Sequence, residues 1–158
     1  MIIPAYNEEE SILNTVMSIV EYRKKVDFDL DYVVSNDGSV DRTKEILDSH
    51  HLNAIHLVMN LGIGGAVQTG YKYALEKNYD VAVQFDGDGQ HDIESLDALL
   101  EPIRRQQADL VVGSRFIGDK SSEFQTTFMR RFGITIISAF IKLTTGKRIL
   151  DTTSGYRL

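Results

Sequence analysis

The sequence predicts an α/β domain in which helices flank a mostly parallel central sheet. Two observations lead there. Short apolar or β-branched runs at Met1–Ile3, Tyr32–Ser35, Ile55–Met59, Val81–Phe85 and Leu110–Gly113 read as strands, and amphipathic stretches separate them. Strands that are apolar throughout and alternate with helices are buried on both faces, as in a parallel sheet. With 158 residues, 42% hydrophobic and 25% charged, the chain has room for one core, so residues 1–158 are expected to form a single domain. The abrupt ends, Met1-Ile2-Ile3-Pro4 and Ser154-Gly155-Tyr156-Arg157-Leu158, raise the expectation of a longer parent protein.

The helices follow from spacing. Ile12, Val16, Ile19 and Val20 share one face of the first. Ile46 and Leu47 sit on a short second helix, for which Ser39 is the expected N-cap. Ala66, Tyr71 and Ala74 lie on a third, and Ile93, Leu96, Leu100 and Ile103 mark a fourth that Pro102 should kink or end.

Composition narrows the function. The absence of cysteine excludes disulfides, thiolate metal sites and cysteine nucleophiles. A net charge of −6 argues against nucleic acid as a partner. An acidic chain that binds a phosphate ligand must use local devices: a metal, helix N-termini or placed arginines. No apolar run approaches the roughly 20 residues that span a bilayer, and the N-terminus lacks a basic region followed by an apolar signal core.

In an open parallel sheet, ligands sit beyond the carboxyl ends of the strands. The segments there are Pro4-Ala5-Tyr6-Asn7-Glu8, Asn36-Asp37-Gly38-Ser39, Asn60-Leu61-Gly62-Ile63-Gly64-Gly65, Asp86-Gly87-Asp88-Gly89-Gln90-His91 and Ser114-Arg115. All are polar, glycine-rich or charged. Asp86-Gly87-Asp88 places two carboxylates one residue apart at a strand end, a hard-oxygen set suited to Mg²⁺ or Mn²⁺. An EF-hand is excluded, because His91 stands where its glycine belongs and Asp97 where its glutamate belongs. Val67 breaks the dinucleotide fingerprint, and no Lys-Ser/Thr pair follows the glycines to make a P-loop. The Gly62–Gly65 segment suggests backbone amides facing a phosphate, whereas Gly70 reads as a helix–sheet packing residue. Asp37 is expected to accept a hydrogen bond from a base or ribose and to matter little for stability. Arg115 is placed to grip a diphosphate, and His91 has no ranked role among ligand, phosphate contact and turn residue.

Taken in order, Ile3-Pro4-Ala5-Tyr6-Asn7-Glu8, Asn36-Asp37-Gly38-Ser39-Val40-Asp41-Arg42-Thr43, Asn60-Leu61-Gly62-Ile63-Gly64-Gly65-Ala66, Asp86-Gly87-Asp88-Gly89-Gln90 and Gly113-Ser114-Arg115 resemble the family-2 inverting glycosyltransferases of GT-A fold. Met129-Arg130-Arg131-Phe132-Gly133, Gly146-Lys147-Arg148 and Asp151–Arg157 resemble the branch that moves a sugar onto dolichyl or polyprenyl phosphate. The resemblance implies a catalytic domain with a Rossmann-like nucleotide-binding half, a UDP- or GDP-sugar donor, a Mg²⁺ or Mn²⁺ ion, and a polyprenyl or dolichyl phosphate acceptor. It implies that Pro4, Ala5, Tyr6, Glu8, Asp37, Asn60, Gly64 and Asp86 bind the donor. Asp86, Asp88 and Gln90 would surround the metal, Asp88 and Arg115 would act in catalysis, and Arg130 or Arg131 would hold the acceptor phosphate. Members often have two acidic residues where Ser35-Asn36-Asp37 has one, which leaves the nucleotide open. Alternatives are a sugar nucleotidyltransferase and a nucleotide-sugar-binding fragment without activity. The expected location is the cytoplasm, at the cytoplasmic face of a membrane in the full-length protein. The apolar Met129–Leu143 helix, bracketed by Arg130, Arg131, Lys142, Lys147 and Arg148, is a candidate for the membrane surface, and self-association is compatible with the sequence.

Overall fold

A computed structural model describes residues 1–86, 93–113 and 156–158. By its contacts the chain divides into two compact units, one of residues 1–111 with 156–158, the other of residues 112–155. The first unit carries β1 (Ile2–Ala5), α1 (Ile12–Arg23), β2 (Val33–Asn36), α2 (Thr43–Ser49), β3 (Ala54–His56), α3 (Gly62–Glu76), a 3₁₀ turn at Ile93–Ser95 and α4 (Leu96–Arg104). The three strands are parallel, with β2 between β1 and β3.

On the other side of β1 the sheet continues as expected from the run Val81–Phe85. Ile2 donates to Val83 O at 2.7 Å, and Phe85 N–H donates to Ile2 O at 2.9 Å. The next bond of a parallel ladder would come from the N–H of residue 4, which is a proline and has none. Pairing therefore stops there, and the chain is free to leave the sheet at Asp86. Outside this segment lies Arg157, antiparallel to Gln84, and Leu158 in turn exchanges both backbone bonds with Val111. The Leu110–Gly113 run thus does join the sheet through Val111, but by way of an antiparallel insertion.

Alternation sorts the sheet residues onto two faces. Ile3, Ala5 and Val34 pack with Ile12, Val16, Ile19, Leu47, Phe85 and Leu96 on the side of α1, α2 and α4. Phe85 also meets Tyr156 edge to face, with ring centroids 5.5 Å apart. The opposite face of β1 and β2 is covered by α3, whose buried residues are Ala66, Gly70 and Ala74. Tyr71 lies on this helix as expected, but on its exposed side. Gly70 takes the position because a Cβ there would stand 2.1 Å from Ile2 Cγ2.

β1 and β2 run one or two residues later than expected, and three further boundaries differ. β3 ends at His56 and not at Met59, because β2 itself ends at Asn36; Leu57 N–H takes the last carbonyl, Asn36 O, and Val58 is fully exposed. α2 starts at Thr43, so Ser39 is not its cap. Asp41 serves that end, accepting Thr43 N–H at 2.9 Å on Oδ1 and Glu9 N–H at 3.1 Å on Oδ2. Pro102 lies inside α4, which runs on to Arg104.

Gly70→Ala sets two effects against each other. Helix propensity favours alanine by roughly 1 kcal/mol, whereas a methyl forced against Ile2 overpacks the α3–β1 contact at about 1–3 kcal/mol. Urea unfolding is expected to show a net loss of stability, and a gain would mean that α3 shifts freely on the sheet. Asp41→Ala tests the α2 start. Burial works to raise the Asp41 pKa, but hydrogen bonds from the Thr43 hydroxyl, Thr43 N–H and Glu9 N–H outweigh it and hold it below 3.8. The stabilisation is then complete above the unfolded pKa and lost as pH falls through the folded one. The melting-temperature gap between wild type and Asp41→Ala should be constant above about pH 5 and shrink below pH 3.8. A gap that persists unchanged in acid would show that the carboxylate charge is irrelevant.

Candidate functional site

Because β1, β2, β3 and Val83–Phe85 run parallel, the loops that follow them leave from one edge of the sheet. The loop after β1 is bound to the loop after β2. Asp37 N–H donates to Ala5 O at 2.8 Å, Asn7 N–H to Ser39 Oγ at 3.0 Å, and Val40 N–H to Asn7 Oδ1 at 2.9 Å. Glu8 N–H donates to Thr43 Oγ1 at 2.8 Å, and Arg42 N–H to Glu9 Oε2 at 3.0 Å.

The loop after β3 is fastened to the same turn. Leu61 N–H donates to Asp37 Oδ1 at 2.7 Å. Gly38, at φ +66°, passes so close that a Cβ there would be 2.7 Å from both Asn60 N and Met59 C. Only glycine satisfies both conditions. Asp37 is 2% exposed, so the expectation that it matters little for stability does not hold: its side chain bridges two loops. Removing the carboxylate takes the acceptor from the Leu61 amide and unfastens the loop after β3 from this turn.

The candidate donor residues fall into two sets. Pro4 and Ala5 are buried and form wall, while Tyr6 is 46% exposed and presents a ring at the edge. Glu8 is half-buried and its Oε2 accepts from Ser11 Oγ at 2.6 Å, just before α1. Asn60 is exposed, and its Oδ1 accepts from Gly62 N–H at 3.0 Å. Nothing lies within 4 Å of where a Cβ of Gly62 or Gly64 would be, so packing does not account for the lack of a side chain there. The first turn of α3 holds no acidic residue, and its N–H groups lack intrahelical acceptors. Gly62, at φ +78°, already gives its N–H to Asn60, and the space beside Gly62 and Gly64 at the start of α3 is left open.

Asp86 is half-buried and its Oδ1 accepts from Gln84 Nε2 at 3.3 Å. It is the one member of the expected metal set among the described residues. Asp88, Gln90, His91, Arg115, Arg130, Arg131 and residues 129–143, for which a helix is expected, lie outside them. Among the described residues no three His, Cys, Asp or Glu side chains gather as a metal site. Asp86 fits a hard cation in its chemistry and in its place at a strand end.

Two residues given no role on sequence grounds prove central to this edge. Asn36 is 1% exposed, and both ends of its amide are engaged within the protein, by Ser39 and by His56. Asn36 and His56 are in-register partners on adjacent strands, a pairing visible only once the register is known.

The family model for glycosyl transferase family 2 matches residues 1–158. The chain is 35% identical over 162 residues to the undecaprenyl-phosphate mannosyltransferase of Micrococcus luteus, covering 99% of this chain and 63% of that protein. It is 33% identical over 175 residues to the UDP-N-acetylglucosamine–dolichyl-phosphate N-acetylglucosaminyltransferase of Methanococcus voltae, covering 99% and 67%. The chain thus spans about two thirds or less of the length of these relatives. Among solved structures, glucosyl-3-phosphoglycerate synthase of Mycobacterium tuberculosis, in complex with Mn²⁺, UDP-glucose and phosphoglyceric acid, superposes with a TM-score of 0.67 at 19% identity, over 98% of this chain and 53% of that one. The fold is that of the GT-A glycosyltransferases. A parallel sheet with its polar loops on the carboxyl edge, matched from end to end by the family model, makes this chain a member of glycosyl transferase family 2.

Proposed function

We propose that the protein transfers a sugar, with inversion, from a nucleoside diphosphate sugar to a polyprenyl or dolichyl phosphate, with Mg²⁺ or Mn²⁺ bound. The observation that carries this reading is the bonded edge itself, where the loops after β1, β2 and β3 meet around Asp37 in a family 2 chain. The acceptor class comes from relatives named for undecaprenyl and dolichyl phosphate. UDP- and GDP-sugars are the candidate donors. A nucleotidyltransferase would carry a basic, glycine-rich loop after its first strand, and Ala5-Tyr6-Asn7-Glu8-Glu9-Glu10 is acidic and glycine-free.

In this reading Tyr6 stacks on the base, Asp37 accepts from the base or ribose through Oδ2, and the open N-terminus of α3 at Gly62 and Gly64 faces the diphosphate. Asp86, Asp88 and Gln90 would hold the ion, whose charge stabilises the departing diphosphate. Arg115 would neutralise the same group, and Arg130 and Arg131 would hold the acceptor phosphate. The acceptor oxygen attacks C1 from the face opposite the leaving group; the C1–O bond to the diphosphate breaks and its electron pair leaves with the nucleotide. A phosphate acceptor is already anionic near neutral pH, so no general base is needed. Among the described residues no helix is long and apolar enough to cross a membrane. The reaction is assigned to the cytoplasmic face, with the acceptor presented by the bilayer.

A thermal-shift panel of UDP and GDP tests the donor site, since a ligand that binds only the native state raises the melting temperature. One of them should do so with Mn²⁺ and much less in EDTA, and Asp88→Asn should erase that difference. Equal shifts with and without metal would sink the metal role. Arg130→Ala combined with Arg131→Ala should lower transfer to a lipid phosphate on the order of 10²–10³-fold while nucleotide binding persists. Wild-type transfer by the double variant would place the acceptor elsewhere.

A further inference from the structure

Asn36 and His56 close β2 and β3 side by side. The Ser39 backbone N–H and hydroxyl both donate to Asn36 Oδ1, at 3.3 and 2.5 Å. A backbone N–H can only donate, so the end of the amide that faces Ser39 is its oxygen. The Nδ2 group therefore faces His56 Nδ1 at 2.9 Å and donates to it. That leaves the His56 proton on Nε2, which donates to Asp48 Oδ1 at 3.0 Å, while Lys44 Nζ holds Asp48 Oδ2 at 2.8 Å. On the far side, Ser39 Oγ accepts Asn7 N–H at 3.0 Å. One relay thus runs from the exposed flank of α2 through Asp48, His56, Asn36 and Ser39 to the loop after β1.

We propose that His56 is a positioning residue for the donor-nucleotide pocket. Its Nδ1, left as the acceptor because Nε2–H is held by Asp48, takes the Asn36 Nδ2 and, with Ser39 N–H at the other end of the amide, keeps the Asp37–Ser39 turn against Asn7. The inference rests on the nucleotide-binding reading of this edge and adds to it a residue that acts through Asn36. The physical reason is polarity. Without an acceptor at residue 56, the Asn36 amide, 1% exposed, either strands Nδ2 or turns it toward the two donors of Ser39. Either outcome costs a buried hydrogen bond and loosens the turn that carries Asp37.

Two variants separate this from general packing. His56→Leu removes the acceptor; His56→Asn can put Oδ1 where Nδ1 stood. Amide hydrogen exchange by mass spectrometry and titration with UDP and GDP in Mn²⁺ are the readouts. His56→Leu should speed exchange selectively in residues 5–9 and 37–40 and weaken nucleotide binding on the order of tenfold, and His56→Asn should restore both. Unchanged exchange in these two segments in His56→Leu overturns the proposal, as does equal loss in both variants, which is what a merely structural histidine would give. If wild type binds neither nucleotide, the donor-site reading fails by itself, and the exchange comparison still decides whether His56 holds the turn.

Discussion

The turn Asn36-Asp37-Gly38-Ser39, buried at Asn36 and Asp37 and half-buried at Gly38 and Ser39, is the constraint on which the functional edge depends. It stands at the end of the central strand of the three, β2, and each of its residues holds a different neighbour. Asn36 reaches β3 through His56, Asp37 binds the Leu61 amide and donates its own N–H to Ala5 O, Gly38 lets the Met59–Asn60 backbone pass, and Ser39 takes the Asn7 amide. A parallel sheet brings loops to one edge but does not orient them. The turn orients them here, because most of these bonds have a backbone group on one side and leave the loops little freedom to slide.

Such tethering suits the chemistry assigned to the family. Electrostatic stabilisation of a leaving diphosphate is strong only when the dipoles and charges are already in place. Loops that rearranged on binding would draw the ordering cost from donor affinity. Among the described residues, those left open at the edge include the Tyr6 ring, Asn60 and the glycines at the start of α3, while most groups that hold the loops together are buried or half-buried. Scaffold and open edge are therefore largely different residues, and in the proposed reading Asp37 serves both.

The α/β class, the parallel strands and the helix faces were legible because period and apolarity report burial, and burial dominates at Ile3, Val34, Ile12, Val16 and Leu96. Strand ends were less so. Val58 and Met59 continue an apolar run yet lie outside the sheet, since a strand lasts only while its neighbour offers backbone partners. The antiparallel entry of Tyr156–Leu158 between Gln84 and Val111 is a long-range pairing that no local pattern encodes. Within the site, the glycines and Asp86 announced themselves through residue type. The Asn36–His56 pair did not, because an asparagine before Asp-Gly reads as turn chemistry and a lone histidine in a strand reads as filler.

The single acid in Ser35-Asn36-Asp37 takes on a physical meaning once the relay is in view. With asparagine at 36, one amide satisfies Ser39 as acceptor and His56 as donor, and no charge is buried there. An aspartate in its place would be acceptor-only when ionised. It would then need a second proton on His56, or would face an Nδ1 lone pair across 2.9 Å. It would also set a second buried negative charge beside Asp37, in a chain of net charge −6 whose proposed ligand is a diphosphate. Like charges a few ångströms apart in a low-dielectric site raise one another's cost of ionisation. The asparagine thus keeps the geometry of the turn while lowering the negative potential at the edge where the anion would arrive.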